Sequence, residues 1–177
     1  MSSVFAKVED FVAVGTTEML ASYGAVCTVV RGHSPPEAPG RMFVATVGFV
    51  DAEGSSGSLL LATTRAVIEH VFPPDEAPLS DAEISDALGE LSNMLVGRVK
   101  SMLLQRGVRV TIGTPTREIA EHPSFHPPKG DCSWTAFELG GGHLYARLDA
   151  AFAEGVVLRD ESSLQSPELA EGEMRLF

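Results

Sequence analysis

Asp86, Glu90, Asn93, Gly97 and Lys100 follow one another at spacings of four, three, four and three, which puts all five on one side of an α-helix. The line carries two carboxylates, an amide that both donates and accepts, and an ammonium. A merely solvated helix face would be filled with good helix formers, whereas an asparagine and a glycine here together cost more than ~1 kcal/mol against alanine. Glycine at the centre of such a stripe lets another backbone or a bulky group approach closely. Two plainer readings stand beside that one. The stripe would be a solvated face with Glu/Lys spacing for local ion pairs, and Gly97 a crossing point with another helix of the same fold.

Three other groups of residues could carry chemistry. His122 and His126 stand four apart, the spacing that joins one metal on a helix, but Pro123, Pro127 and Pro128 argue against a helix there. Exposed loop histidines are the expectation, and a metal-dependent hydrolase is the alternative they leave. Gly140, Gly141 and Gly142 could cradle a phosphate, yet they lie between two strand-like runs with no following helix or lysine, which predicts a hairpin turn. Cys132, close to His126 and Asp131, invites a nucleophile reading; a lone thiol at the start of a strand is more often inert packing.

The stripe needs a long helix to hold it, and residues 80 to 106 supply one. Ser80 followed by Glu83 forms a capping box, and Ile84, Leu88, Leu91, Leu95, Val99 and Met102 make one apolar face, with Ala87, Met94 and Leu103 at its edges. Gly107 ends the helix and hands over to a β-branched run at 108 to 112. An earlier helix over residues 3 to 22 closes at Tyr23-Gly24, before a strand at 25 to 30 and a proline-bearing loop at 34 to 40. Strands at 41 to 51 and 58 to 62 flank a turn, and a short helix covers 64 to 72. Residues 115 to 131 read as loop, 132 to 139 and 143 to 150 as a hairpin, and the chain from 154 as an acidic, mobile tail. Laid side by side, the halves share the order helix, short strand after a glycine, loop, hairpin, which suggests an internal duplication.

Composition bounds the function. With 44% hydrophobic and 21% charged residues, the 177-residue chain is of folding composition and too short for two full independent domains. Thirteen Lys and Arg against 24 Asp and Glu leave a formal charge of -11, which repels a phosphate backbone or an anionic membrane surface. Nucleic acid and membrane are therefore not the expected partners. Cys27 and Cys132 form no Cys-x-x-Cys pair and suggest free thiols in a reducing compartment. No export signal or membrane-length apolar run is read, so a cytoplasmic location is expected.

The larger pattern is Asp86-x-x-x-Glu90-Leu-x-Asn93-Met-x-x-Gly97-x-x-Lys100, entered from Leu79-Ser80-Asp81-Ala82-Glu83-Ile84 and left through Gly107, a β run and Thr114-Pro115-Thr116. It resembles the CheX branch of the CheC/CheX/FliY family of chemotaxis phosphatases. The resemblance is sharp from Leu79 to Thr116 and architectural elsewhere. It implies an α/β fold (α+β type) with long helices packed on a largely antiparallel sheet. One domain over 1–153 would comprise pseudo-repeated halves at about 1–72 and 79–153, followed by a tail at 154–177.

The resemblance also implies a phosphatase acting on the aspartyl phosphate of a CheY-like response regulator. Glu90 would anchor the receiver through a lysine of its active site, and Asn93 would insert its carboxamide beside the phosphoryl group. Asp86, Gly97 and Lys100 would border the docked partner. No cofactor or metal of its own is implied; Mg2+ would come with the receiver. An acyl phosphate with bound Mg2+ is already activated, and what its hydrolysis chiefly lacks is a water held in line with phosphorus, which a neutral amide can orient. Aligning Gly24 with Gly107 puts Lys7 and Asp10 where Glu90 and Asn93 stand, so one active helix is expected. The family pairs through sheet edges, which makes a homodimer an expectation although no edge can be read from sequence. The alternative function is a non-catalytic module that binds a receiver or an assembly partner with the same helix face.

Overall fold

A computed structural model describes residues 3–32, 40–121, 125, 130–140 and 142–159. The elements are α1 (Ser3–Ser22), β1 (Thr28–Arg31), β2 (Met42–Asp51), β3 (Ser56–Thr63), α2 (Arg65–Val71), α3 (Asp81–Gln105), β4 (Val110–Ile112), β5 (Thr116–Ala120), β6 (Asp131–Leu139) and β7 (Gly142–Ala151). The seven strands form one sheet in the order β1-β6-β7-β3-β2-β4, and β5 also pairs with β2. Every pairing is antiparallel. The long helices lie on the sheet, α1 over β6 and β7 and α3 over β2 and β3. This is the α+β arrangement expected of the sequence.

Alternation along the strands decides which face meets the helices. Phe43, Ala45, Val47 and Phe49 of β2 are buried, as are Leu59 and Leu61 of β3, Leu144, Ala146 and Leu148 of β7, and Phe137 of β6. They join Phe5, Val8, Val12, Met19 and Leu20 of α1 and the apolar face of α3 in a single core. The opposite sheet face has a smaller cluster of Met42, Val44 and Ala62, with Phe125 packed against it. There Trp134 stacks edge-on against Phe125 at 4.7 Å and lies 5.6 Å from the Arg147 guanidinium.

The two halves share more than element order. Exchanging β1, β2 and β3 with β4, β6 and β7 reverses the strand order onto itself. Both long helices end in the same cap: Gly24 and Gly107 have φ of 77° and 86°. Gly24 N–H donates to Ala21 O at 2.9 Å and Ala25 N–H to Leu20 O at 3.1 Å, and Gly107 and Val108 repeat this on Leu104 and Leu103 at 3.0 and 2.9 Å. The helices run antiparallel across each other, Phe11 under Arg106 and Tyr23 against Met94. Superposing the two cap glycines interchanges those two pairs.

Two expectations change. Residues 116 to 120, read as loop, form β5, which pairs with the N-terminal half of β2 from Thr46↔Thr116 to Met42↔Ala120. Its partner lies some seventy residues away, so nothing local marks it. The strand expected at 25 to 30 is a later and shorter β1, because Ala25 is taken up by the helix cap. Beyond β7, Leu158 is buried and Arg159 N–H donates to Arg106 O at 3.1 Å, tying the chain to the end of α3. Residues 160 to 177, most of the expected acidic tail, lie outside the described residues.

Candidate functional site on helix α3

The N-terminus of α3 is fixed by the capping box read from sequence. Ser80 Oγ accepts from Glu83 N–H at 3.3 Å, while Glu83 Oε2 accepts from Ser80 N–H at 2.7 Å and from the Ser80 hydroxyl at 2.7 Å. These bonds hold the Glu83 carboxyl below the usual range. Ile84, Leu88, Leu91, Leu95 and Val99 are buried as expected. The buried arc is wider than a wheel of apolar residues gives: Gly89, Ser92 and Val96 join it, and Leu103 is buried where Met102 was expected. The reason is that α3 meets the sheet, β5 included, and both other helices, α1 and α2.

On the remaining side, Asp86, Glu90, Asn93 and Lys100 are exposed and Gly97 is half-buried. The stripe is real. A Cβ built on Gly97 meets nothing within 4 Å, which excludes a helix crossing there. That role falls to Gly15 of α1, where a Cβ would stand 3.2 Å from Leu95 Cδ1 and 3.6 Å from Arg98 Cβ. Gly97 therefore leaves open space beside Asn93. Tyr23 borders this surface, its hydroxyl donating to Met94 Sδ at 3.1 Å and its ring edge-on to Phe72 at 4.8 Å.

The stripe's charges are not all open. Asp86 forms an ion pair with Arg117 of β5. Arg117 lies opposite Ala45 in the sheet register and so rises on the side that α3 covers. Its stem crosses the helix at Gly89, where a Cβ would come within 2.9 Å of Arg117 Cδ. A glycine inside a helix costs about 1 kcal/mol against alanine, and here it leaves room for an arginine chain. Sequence reasoning missed both residues: Gly89 was visible as an isolated helical glycine, but Arg117 sat in a stretch read as loop. Further towards the N-terminus, Asp81 is held by Arg41 at 2.5 Å and by Arg65 at 2.6 Å. Of the four carboxylates on α3, only Glu90 has no ion-pair or hydrogen-bond partner among the described residues, and the Asn93 amide has none either.

The first half presents the complementary case. Lys7 and Asp10 occupy the places of Glu90 and Asn93, and both are exposed. Asp10 is paired with Arg31. The counterpart of Gly97 is Val14, an exposed β-branched side chain where α3 has a gap.

The other candidates resolve differently. Leu139 pairs with Gly142, which puts Gly140 in the β6–β7 hairpin turn; Gly141 lies outside the described residues. A Cβ on Gly142 would stand 2.7 Å from Val67 Cγ2, and one on Gly140 would overlap His70, so these glycines serve packing on α2. Cys132 is half-buried, and burial, then the hydrogen bond and charge of Asp149, push its thiol up, the opposite of an activated nucleophile. His122 and His126 lie outside the described residues. Among the described residues no group of three or more His, Cys, Asp and Glu could hold a metal, and no helix is long and apolar enough to cross a membrane.

Comparison with known proteins bears on this architecture. The family model described as chemotaxis phosphatase CheX matches residues 43–134, from β2 through α3 into β6. No curated protein matches the chain in sequence. Among solved structures, a CheC-like superfamily protein from Shewanella sp. PV-4 is 18% identical with a TM-score of 0.73, covering 86% of this chain and 100% of its own. A chemotaxis protein CheX from Desulfovibrio desulfuricans is 17% identical with a TM-score of 0.68, over 82% of this chain and 99% of its own. A CheX from Borrelia burgdorferi, solved in complex with CheY, BeF3 and Mg2+, is 13% identical with a TM-score of 0.65, over 81% and 97%. Likeness at such identities speaks for the fold, and the family match covers slightly more than half of the chain, including the whole of α3. The chain belongs to the CheX family, within the CheC/CheX/FliY group.

Proposed function

We propose that this protein accelerates hydrolysis of the aspartyl phosphate on a CheY-like receiver, with Glu90 as the anchor and Asn93 as the group that orients the attacking water. The observation that carries this reading is the pairing state of α3: Glu90 and Asn93 stand adjacent, exposed and without an intramolecular partner, beside the open space at Gly97. Residues three apart on a helix hold their Cβ atoms about 5–6 Å apart. That separation suits an ammonium and a phosphoryl group that are near neighbours on the receiver.

The division of labour follows from the residue types. Glu90 forms a charge-assisted pair with the receiver's lysine, which fixes register. The Asn93 amide reaches the phosphoryl group without bringing charge to it and holds one water in line with phosphorus. Mg2+ arrives with the receiver and neutralises developing phosphoryl charge. Gly97 and Lys100 continue the docking surface towards the C-terminus of α3, and Asp86 with Arg117 borders it at the other end. The half carrying Lys7, Asp10 and Val14 takes no part, so one chain serves one receiver. The open edges among the described strands, β1 at one end of the sheet and β4 and β5 at the other, are those through which two copies would pair; sedimentation of the purified protein tests whether they do.

The deciding experiment is single-turnover dephosphorylation of a phosphorylated cognate receiver, wild type beside Asn93→Ala. Loss of one positioned transition-state group costs on the order of a hundredfold, so the variant should fall to the receiver's own decay rate while still binding. Full acceleration by a folded Asn93→Ala rules the mechanism out. Wild-type binding with no rate effect selects the non-catalytic receiver-binding module.

A further inference from the structure

The four carboxylates of α3 are disposed of one by one: Asp81 by Arg41 and Arg65, Glu83 by the Ser80 cap, Asp86 by Arg117, and Glu90 by nothing among the described residues. Asp86 and Glu90 are the two that share the exposed stripe, one turn apart and about 6 Å along the helix axis. To an approaching lysine they would be equivalent anchors. Docking on Asp86 would displace the receiver by that one turn and carry its phosphoryl group beyond hydrogen-bond reach of Asn93. An exposed ion pair adds little to stability, so the effect of the Asp86–Arg117 pair lies in what the surface offers a partner. It both occupies Asp86 and sets a guanidinium beside it that repels a second cation.

We infer that Arg117 is a specificity-determining residue which, by closing on Asp86, leaves Glu90 as the single open carboxylate of the stripe and so fixes the register in which a lysine-bearing receiver docks. The inference rests on the receiver-phosphatase reading given above. Three further features fit it. Gly89 gives the arginine stem a passage across the helix, the β5 register holds Arg117 on the helix side, and β5 is an edge segment with no other polar contact to α3 among the described residues.

The test measures receiver binding and single-turnover rate together in wild type, Glu90→Gln, Arg117→Gln, Glu90→Gln with Arg117→Gln, and Asp86→Asn with Arg117→Gln. Glu90→Gln should weaken binding about tenfold or more, as loss of one desolvated charge partner does. Adding Arg117→Gln to it should recover most of the binding, through the freed Asp86, and none of the rate. Arg117→Gln alone should bind at least as tightly as wild type and turn over several-fold more slowly, and Asp86→Asn in that background should restore the rate. That last rescue separates loss of register from simple damage to β5, which removing a second charge would not repair. If Glu90→Gln with Arg117→Gln binds no better than Glu90→Gln, or if Arg117→Gln turns over at the wild-type rate, Arg117 does not set the register. A wild-type protein that engages no receiver overturns the functional reading itself, and the wild-type arm registers this before any variant is compared.

Discussion

Asn93 is useful in the proposed reaction for what it lacks. Its amide can donate and accept at a phosphoryl group, but it brings no charge. Two like unit charges 4 Å apart repel by about 1 kcal/mol even at the dielectric of water, and by several times that in an excluded interface. Asn93→Asp should therefore bind a phosphorylated receiver several-fold more weakly than Asn93→Ala, with neither variant accelerating the receiver's own decay. A binding titration of both variants against the phosphorylated receiver, beside a single-turnover series, reads this directly. Equal affinities for the two would mean that charge at this position never meets the phosphoryl group. Glu90 stands on the other side of the same logic, since an open carboxylate on an acidic protein is an anchor only for a cation. The remaining acidity of the helix is already engaged, Asp86 by Arg117 and Asp81 by Arg41 and Arg65.

For the helix as an element, the informative residue is Gly97. Because a Cβ there meets nothing within 4 Å, Gly97→Ala should raise the stability of the isolated protein by up to ~1 kcal/mol, read as a higher midpoint of thermal or denaturant unfolding. The same variant should bind the receiver more weakly, since the added methyl stands where the partner approaches. Stability gained and binding lost in one substitution would separate a docking gap from an accident of sequence. At the N-terminal end, the Glu83 carboxyl is depressed by its bonds to Ser80, so its contribution is full above the ordinary glutamate value of 4.5 and disappears as pH falls through the lower folded value. Wild type should be more stable than Glu83→Ala at neutral pH, and the difference should shrink as pH falls below 4.5 and through the lowered folded value. Thermal unfolding at a series of pH values measures it. The cap, the core positions of α3 and the two terminating glycines were legible in the sequence because each is written within four or five neighbouring residues. β5, the Asp86–Arg117 pair and the burial of Ser92 and Val96 were not. The first two arise from residues 116 to 120 meeting β2 and α3, and no local pattern records a contact between Arg117 and a helix thirty residues before it.

At the scale of the molecule, neither half holds its own sheet together. β1 pairs with β6 rather than with β2, and β4 pairs with β2 rather than with β6. The junction of the halves, β3 against β7, lies at the sheet's centre. Cutting the connection between α2 and α3, for example between Asp75 and Glu76, should give two fragments that stay unfolded singly and assemble when mixed or co-expressed. Circular dichroism of each fragment and of the mixture checks this, and an independently folded fragment would contradict it. The interlock also explains how one helix can carry the motif while its counterpart carries Lys7, Asp10 and Val14. Each helix is supported by strands of the opposite half, so α1 is retained for the sheet it covers. The edge strand β1 has a consequence in time as well as in space. Thr28 pairs with Glu138 and Arg31 with Thr135, so β1 leaves the ribosome more than a hundred residues ahead of its partner. At ordinary elongation rates that is an interval of roughly 5–20 s in which Val29 and Val30 wait unpaired, and the nascent chain is then most open to chaperones and to aggregation.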